Sequence, residues 1–389
     1  MRILCIDVGT GTQDILLFDS DVELENCVQM VMPSPTRIVA SRVLEATAAR
    51  RTLLLTGVTM GGGPCSWAIE DHVRAGLEAY ATPDAARTMD DDLDRVAEAG
   101  VRVVGPDEIE RLARSLGSGA ATVEMRDLDL EAVRAALEAF GEPAEYDALA
   151  VAVFDHGAAP PGYSDRRFRF DYISRQMSQR GDEPVNRALA AFAAPADRVD
   201  PELTRLLAVR DTVRRSDYRD LPLLLMDTGP AALLGSLGDA RVRDAAAHNA
   251  LFVNVGNFHV LAFHIATSKI RALFEHHTGL LDAPALARLL DSLVQGTLTN
   301  AEVFDGHGHG ALTLASAVPV DGQPQMCAVA GPRRSMLENA ALPWPVVPAA
   351  PHGDMMVAGC YGLLRAFAVH FPDSAPDITR RLGLEGEGA

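Results

Sequence analysis

The sequence predicts an α/β protein of two lobes built on one repeated plan, with a helical insertion between them. Residues 2–8, 14–19 and 27–32 read as three successive apolar strands, and residues 251–255, 260–266 and 270–275 repeat the trio in the second half. In each half the trio is followed by a helix, a strand running into a Gly-Gly or Gly-Pro turn, and another helix, a duplication in pattern without similarity in letters. Glycine-bearing turns join the first two strands of each trio, Gly9-Thr10-Gly11-Thr12 in one and Asn254-Val255-Gly256-Asn257 in the other. The expected division is residues 1–240, including the insertion, and residues 241–389.

Taken in order, the hairpin around Gly9 closes at Asp19, and the strand at 27–32 is stopped by Pro33-Ser34-Pro35. Thr36 to Arg51 carries Ile38, Val39, Val43 and Leu44 at helical spacing. A strand at 52–58 runs into Met60-Gly61-Gly62-Gly63-Pro64, and a helix is expected from Trp67 to Tyr80 on Ile69, Val73 and Leu77. Residues 84–140 read as acidic helical segments around a short strand at 101–104, either an insertion or a continuation of the first sheet. Tyr146 to Phe154 is a buried strand ending in the turn-rich loop Asp155-His156-Gly157-Ala158-Ala159-Pro160-Pro161-Gly162. Residues 163–220, rich in Arg and Asp, suit a helical layer between two sheets, although Arg167-Phe168-Arg169-Phe170 alternates with strand period. Leu223 to Met226 is a strand feeding a helix through Asp227-Thr228-Gly229-Pro230, a proline position that suits a helix start. After the second trio come a helix at 283–294, a strand at 326–330 ending at Gly331-Pro332, a short helix at 334–339 and a long helix at 354–369.

The chain has 389 residues, 35 basic and 53 acidic side chains and a net charge of −18. That length supports a substantial core without disulfides or a structural metal. The acidic surplus opposes binding to a phosphate backbone, so no nucleic-acid partner is expected and a small-molecule substrate or a protein partner fits better. Lys269 is the single lysine, preceded by Ser268, so there is no Walker A loop and a Schiff-base lysine has one poor candidate. Cys5, Cys27, Cys65, Cys327 and Cys360 are far apart and form no CxxC pair, as expected of small core residues in a reducing cytoplasm. Asp7 interrupts the first apolar run too early for a secretory segment, and no run reaches the ~18 residues of a membrane span. A cytoplasmic protein is expected.

Several residue types carry possible chemistry. Asp7 is either a strand-end carboxylate serving a ligand or the cap of its own glycine turn. Asp227 is either a base or a helix cap. Gly61, Gly62 and Gly63 form either an anion-accepting nest facing substrate or a tight turn, and the arginines of 167–170 either clamp an anion or pair with acidic groups. Asp155 and His156 sit on a loop suited to function. Among 11 histidines, His156, His259, His264, His276, His277, His307, His309 and His352 lie at strand ends or beside glycine. No HExxH spacing accompanies them, and a metal site would need three or four to converge.

The two glycine hairpins in a duplicated unit resemble the actin, Hsp70 and sugar-kinase superfamily, whose ribonuclease H-like lobes hold a nucleotide between them. The resemblance implies ATP and Mg²⁺ as cofactors. It implies that Gly9, Thr10, Gly11 and Thr12, with Asn254, Gly256 and Asn257, bind phosphates, while Asp7 holds Mg²⁺ through water. Asp227-Thr228-Gly229-Pro230-Ala231-Ala232-Leu233-Leu234-Gly235 resembles the carbohydrate-kinase segment supplying the catalytic base, which makes Asp227 that base. Gly331-Pro332 and Gly353-Asp354 would flank the adenosine, and substrate would sit near Asp155, His156 and Gly61 to Gly63. Gln13 and Asp14 stand where relatives often carry a cation, and Asn254 stands where actin and Hsp70 have an aspartate. Arg167, Arg333 and Arg334 are the arginines that could compensate. The chain also resembles, through Gly61-Gly62-Gly63-Pro64, Asp155-His156-Gly157, Arg167-Phe168-Arg169-Phe170 and Glu275-His276-His277-Thr278-Gly279, a family of bacterial and archaeal proteins sometimes labelled as similar to pyruvate formate-lyase activating enzyme. A radical-SAM activator needs three closely spaced cysteines, which this sequence lacks. The expected function is an ATP-dependent phosphotransferase or ATPase. The alternatives are a nucleotide-responsive regulator or partner protein without phosphoryl transfer, and a histidine-based metal hydrolase.

Overall fold

One sheet plan occurs twice in the computed structural model, which describes residues 1–314, 322–338 and 340–384. β1 (Arg2–Val8), β2 (Thr12–Asp19) and β3 (Val28–Pro33) form an antiparallel meander. The chain then leaves this sheet at the Pro33-Ser34-Pro35 break. It builds α1 (Pro35–Ala48), β4 (Thr52–Gly57), α2 (Pro64–Arg74), β5 (Ala79–Ala81), α3 (Pro83–Ala86) and α4 (Leu93–Glu98). β6 (Val101–Val103), α5 (Pro106–Leu116), β7 (Ala120–Met125) and α6 (Leu130–Ala139) follow. β8 (Ala148–Val153) returns to lie parallel to β1, and α7 (Asp165–Arg180), α8 (Val185–Ala190), β9 (Ala193–Pro195) and α9 (Thr204–Arg214) precede β10 (Leu223–Asp227). The first sheet has the order β3-β2-β1-β8-β10-β9.

α10 (Thr228–Ser236) and α11 (Ala240–His248) lead to a second meander of β11 (Asn249–Val255), β12 (His259–Ala266) and β13 (Lys269–His277). α12 (Ala283–Gln295), α13 (Asn300–Asp305), β14 (Gly310–Thr313), β15 (Cys327–Ala330), α14 (Ser335–Glu338) and β16 (Val346–Pro348) complete this lobe, with the order β14-β13-β12-β11-β15-β16. In both sheets an antiparallel trio is extended by two strands parallel to its first member. This is the duplicated two-lobed α/β fold that the hairpins predict. α15 (Ala358–His370) and α16 (Ala375–Arg381) then cross back onto the first lobe.

Burial explains the strand choice. All six residues of β8 are buried, the mark of a strand covered on both faces, whereas β7 alternates buried and exposed positions. The main apolar core is shared between lobes: Ile6, Leu16 and Val151 of the first sheet belong to one cluster with Phe252, Leu261 and Phe263 of the second. α10 and α15 cross where Gly235 and Gly362 bring backbones together; a Cβ on Gly235 would lie 1.7 Å from the Ala358 carbonyl oxygen, and one on Gly362 1.9 Å from that of Ala231.

Four expectations change. Residues 84–140 contribute β6 and β7 to a separate parallel sheet, β6-β5-β4-β7, whose own core includes Val43, Leu53, Ile69 and Val123. The helix expected to reach Tyr80 stops at Arg74, where Gly76 at φ +75° turns the chain into β5. Arg167 to Phe170 is helical: Phe170, Ile173 and Met177 bury one face of α7, and this longer period overrides the four-residue alternation. The long helix starts at Ala358, after the turn holding Gly353 and Asp354. The short helix near 334–339 is α14, and residue 339 lies outside the described residues.

Candidate functional site

A cavity of about 540 Å³ opens between the lobes, lined by the β1–β2 turn, the β11–β12 turn and the ends of β8, β10 and β15. Its floor is built by the first hairpin. The register of β1 with β2 sets Asp7 opposite Asp14, and both line the cavity. Thr228 at the start of α10 donates from Oγ1 to Asp7 Oδ1 at 2.5 Å. Burial, then the charge of Asp14, pushes the Asp7 carboxyl up to about 7 despite that bond. Asp14 is also pushed up to about 7, chiefly by burial, and its Oδ1 is buried without a hydrogen-bond partner. Two crowded carboxylates with an orphaned oxygen fit a divalent cation, which would relieve both the desolvation and the repulsion. Gly359 packs against this floor, and a Cβ there would lie 1.8 Å from Asp7 Oδ2.

Gly9, Thr10, Gly11 and Thr12 line the cavity from one side, and Asn254, Gly256 and Asn257 from the other. The two turns approach closely, for a Cβ on Gly11 would sit 2.9 Å from Asn257 Nδ2. Gly331, at φ +93°, and Pro332 also line it. Gly353 and Asp354 do not; the residues that follow them, Met355, Met356 and Ala358, take that wall.

Asp227 ends β10 but is not on the cavity wall. Its carboxylate accepts from the Gly229 amide at 3.2 Å as the N-cap of α10, and from Arg169 Nη1. Arg169 is wholly buried and also grips Glu275 of β13 bidentately, Nε to Oε2 at 3.1 Å and Nη2 to Oε1 at 3.0 Å, while donating to the Asp155 carbonyl at 2.9 Å. The guanidinium stacks over Phe154 at 4.5 Å. Burial raises the Asp227 carboxyl from its ordinary value and Arg169 opposes this. A carboxylate committed to a buried arginine and a helix cap is placed to hold the two lobes in register, so the base role expected of it has no open oxygen facing substrate.

Asp155 and His156 do reach the cavity. The Asp155 carboxylate is 2% exposed and accepts from the amides of Gly157 and Leu206, both at 2.8 Å, which fixes the loop and the start of α9. His156 is half exposed, with Nε2 3.8 Å from Asp91 Oδ2. Gly61, Gly62 and Gly63 line the cavity too, and each has a packing reason to be glycine. A Cβ on Gly61 would meet Arg205 Nη2 at 2.4 Å, one on Gly62 would meet Ser66 Oγ at 2.9 Å, and one on Gly63 would meet the Phe258 ring at 2.6 Å. The Gly61 amide is already used, donating to Asp127 Oδ1 at 3.1 Å. Trp67 of α2 meets Phe258 edge-on at 5.6 Å, so the inserted sheet touches the second lobe across the cavity mouth.

The arginines on the wall are Arg87 and Arg205; Arg167, Arg333 and Arg334 are not there. Arg167 lies over Phe304, and Arg205 binds Asp127 through Nε at 2.6 Å and Nη2 at 2.9 Å while donating to the Phe154 carbonyl at 2.6 Å. Arg169 takes the second of the two roles expected of the 167–170 arginines, pairing with acidic groups, whereas Arg205, Asp14 and Glu275 were missed as structural parts of the site. The one signal available was their location: Asp14 opens the second strand of a glycine hairpin and Glu275 sits among strand-end histidines.

Solved structures that match the chain do so at low identity and low TM-score. An exopolyphosphatase-like protein is 11% identical, with 86% of this chain and 67% of that chain covered and a TM-score of 0.27. A protein from Listeria monocytogenes described as a putative N-acetylmannosamine kinase is 10% identical, with 95% and 99% covered and a TM-score of 0.32. Xylulose kinase from Lactobacillus acidophilus is 11% identical, with 99% and 97% covered and a TM-score of 0.26. No curated protein matches the chain. All five cysteines are buried and free, and no three of them converge. Among the described residues no helix is long and apolar enough to cross a membrane. A family model matches residues 60–336, more than half of the chain, which therefore belongs to the family described as "Putative pyruvate format-lyase activating enzyme (DUF1786)".

Proposed function

We propose that this protein binds Mg·ATP between the β1–β2 and β11–β12 turns and transfers its terminal phosphoryl group to a small-molecule acceptor or to water. The observation that carries the reading is the convergence of both glycine turns, the Asp7–Asp14 pair and Gly331 on one cavity of about 540 Å³, within the ~300–1,000 Å³ usual for small-molecule sites. Backbone amides of Thr10, Gly11 and Asn257 are the phosphate donors, since the Gly9 and Gly256 amides already donate to the Thr12 and His259 carbonyls, both at 2.9 Å, and close the turns. Asp7 and Asp14 would hold Mg²⁺, which supplies neutralisation of charge on the phosphate oxygens. The adenosine end lies toward Gly331, Pro332, Met355 and Met356.

The acceptor occupies the end of the cavity at His156, which is the base in this reading because it reaches the cavity with a carboxylate, Asp91, 3.8 Å behind it. Asp155 and Asp227 serve as positioning residues through the α9 amide and Arg169. The activity named in the family's description is not carried over, because the cysteines cannot ligate an iron–sulfur cluster. A second reading, a nucleotide-responsive regulator or partner protein that does not consume ATP, is favoured by one observation: Arg205, a cation on the cavity wall, is neutralised by Asp127.

Calorimetric titration with ATP and Mg²⁺, alongside ADP, tests the site. Saturable binding that Asp7→Ala removes is the expected result. ATP consumption that survives in wild type but is lost in His156→Gln, with binding kept, supports the transfer reading. Binding without consumption favours the regulator, and no binding at millimolar ATP overturns both.

A further inference from the structure

The geometry points to a second metal centre on the second-lobe wall of the cleft, in which His259, His277 and His309 hold a zinc-class divalent ion. His259 opens β12 and His277 closes β13, and the register of these strands sets the two directly opposite one another. His309 joins them from the segment entering β14, where its amide donates to the Glu275 carbonyl at 2.9 Å. One ring nitrogen from each lies within 4.8 Å of the others, and the ring centroids are 5.1, 5.0 and 4.6 Å apart. Closing such a triangle onto an ion at ~2.0–2.1 Å from each nitrogen takes side-chain rotation of about an ångström, with the backbones held on paired strands.

A second observation points to a ligand there. His309 is 4% exposed, and its Nδ1 is buried with no hydrogen-bond partner, Glu275 Oε2 standing off at 3.8 Å. A buried imidazole nitrogen without a partner carries an energetic penalty that a bound cation removes. Two other histidines of these strands are engaged elsewhere. His264 bonds Asn249 Oδ1 at 2.8 Å, and His276 bonds the carbonyls of His277 and Gly306 at 3.1 and 3.0 Å.

Three imidazoles leave a tetrahedral ion with one open position. His259 lines the main cavity and stacks on Phe154 at 4.1 Å, so that position faces the acceptor end of the cleft, where water or an anionic oxygen of a bound small molecule would fill it. Imidazole donors suit zinc and its neighbours, whereas the carboxylates of Asp7 and Asp14 suit magnesium, so the two sites select different ions.

The test uses the full chain, stripped of metal, titrated with Co²⁺ in the absence of nucleotide. The expected result is a visible ligand-field absorption that saturates at one equivalent and is displaced by Zn²⁺. His259→Gln, His277→Gln and His309→Gln each weaken Co²⁺ binding at least ~100-fold, while His264→Gln leaves it unchanged. Circular dichroism checks that each variant is folded; if His309→Gln is not, the half-buried His259 and His277 decide. Absence of saturable Co²⁺ binding in the wild type overturns the proposal, as does undiminished binding in the folded variants. Because no ATP is present, failure here is distinct from failure of the nucleotide reading, which Asp7→Ala addresses.

Discussion

Replacing Arg169 by methionine isolates the buried ion network that joins the lobes. The side chains of Arg169, Asp227 and Glu275 are 0%, 3% and 1% exposed, so none can turn to water when its partner is lost. Arg169→Met removes four hydrogen bonds and the cation held between the two carboxylates. Breaking a buried pair by deleting one partner costs about 3–5 kcal/mol, whereas replacing the whole set by neutral groups is close to neutral. With a urea m-value of roughly 3 kcal/mol/M, the unfolding midpoint falls by about 1–1.7 M. In the variant Asp227 keeps the burial that raises its carboxyl and loses the arginine that opposes it, so the cost of its bare charge is present at high pH and declines as pH falls and it takes up a proton. The deficit is therefore larger at pH 8 than at pH 5. Urea unfolding followed by circular dichroism measures this, and the triple variant Arg169→Met, Asp227→Asn, Glu275→Met should recover most of the loss while Asn keeps the α10 cap. A single-variant cost under about 1 kcal/mol would refute a sealed network. A triple variant no better than the single would assign the cost to lost packing over Phe154 instead of to bare charge.

Two further outcomes are expected. Gly362→Ala forces its new methyl into the Ala231 carbonyl, a backbone atom that cannot rotate away, so it should cost about 3 kcal/mol or more by urea unfolding; Gly279→Ala, which meets nothing within 4 Å, should stay within about 0.5 kcal/mol. His264 is held down to about 4 from the ordinary 6.5 by burial and then by Arg271, so the unfolded chain takes a proton that the folded chain refuses between these values. Its contribution to stability is complete above pH 6.5 and is lost as pH falls toward 4, by about 3 kcal/mol in all. His264→Gln should flatten that part of the stability profile, and an unchanged slope would place the acid sensitivity elsewhere.

The two hairpins were legible because alternation, apolar runs and glycine turns are local signals, and local signals also mark Asp7, Gly9 to Thr12 and Asn254 to Asn257. The inserted sheet was legible only in part: the strands at 52–58 and 101–104 were read, but β7 lies among acidic helical segments, and β5 has three residues, too few to show a period. Arg167 to Phe170 misled for the same reason, a four-residue alternation inside a helix. Asp227 illustrates a different limit. Its motif fits a catalytic segment, yet its environment is set by an arginine 58 residues earlier, which in turn holds a glutamate 106 residues later. Nothing in the letters around Asp227 announces either partner. The histidine trio was visible as a concentration of histidines at strand ends, but which three converge depends on the β12–β13 register and on the route into β14.

The crossing of α15 back onto the first sheet ties early and late parts of synthesis together. Cys360 of α15 donates weakly to the Cys5 carbonyl at 3.7 Å, across 355 residues of sequence. At ~5–20 residues per second, roughly 20–70 s separate their emergence from the ribosome. For all of that interval β1 lacks the helix that covers one face of its sheet, as do β2 and β8 once they emerge, while the inserted sheet, with its own core, has every strand it needs as soon as Met125 is out. Nascent chains stalled before residue 358 should therefore hold a folded insertion on an unfinished first lobe, engaged by chaperones until the last helices arrive.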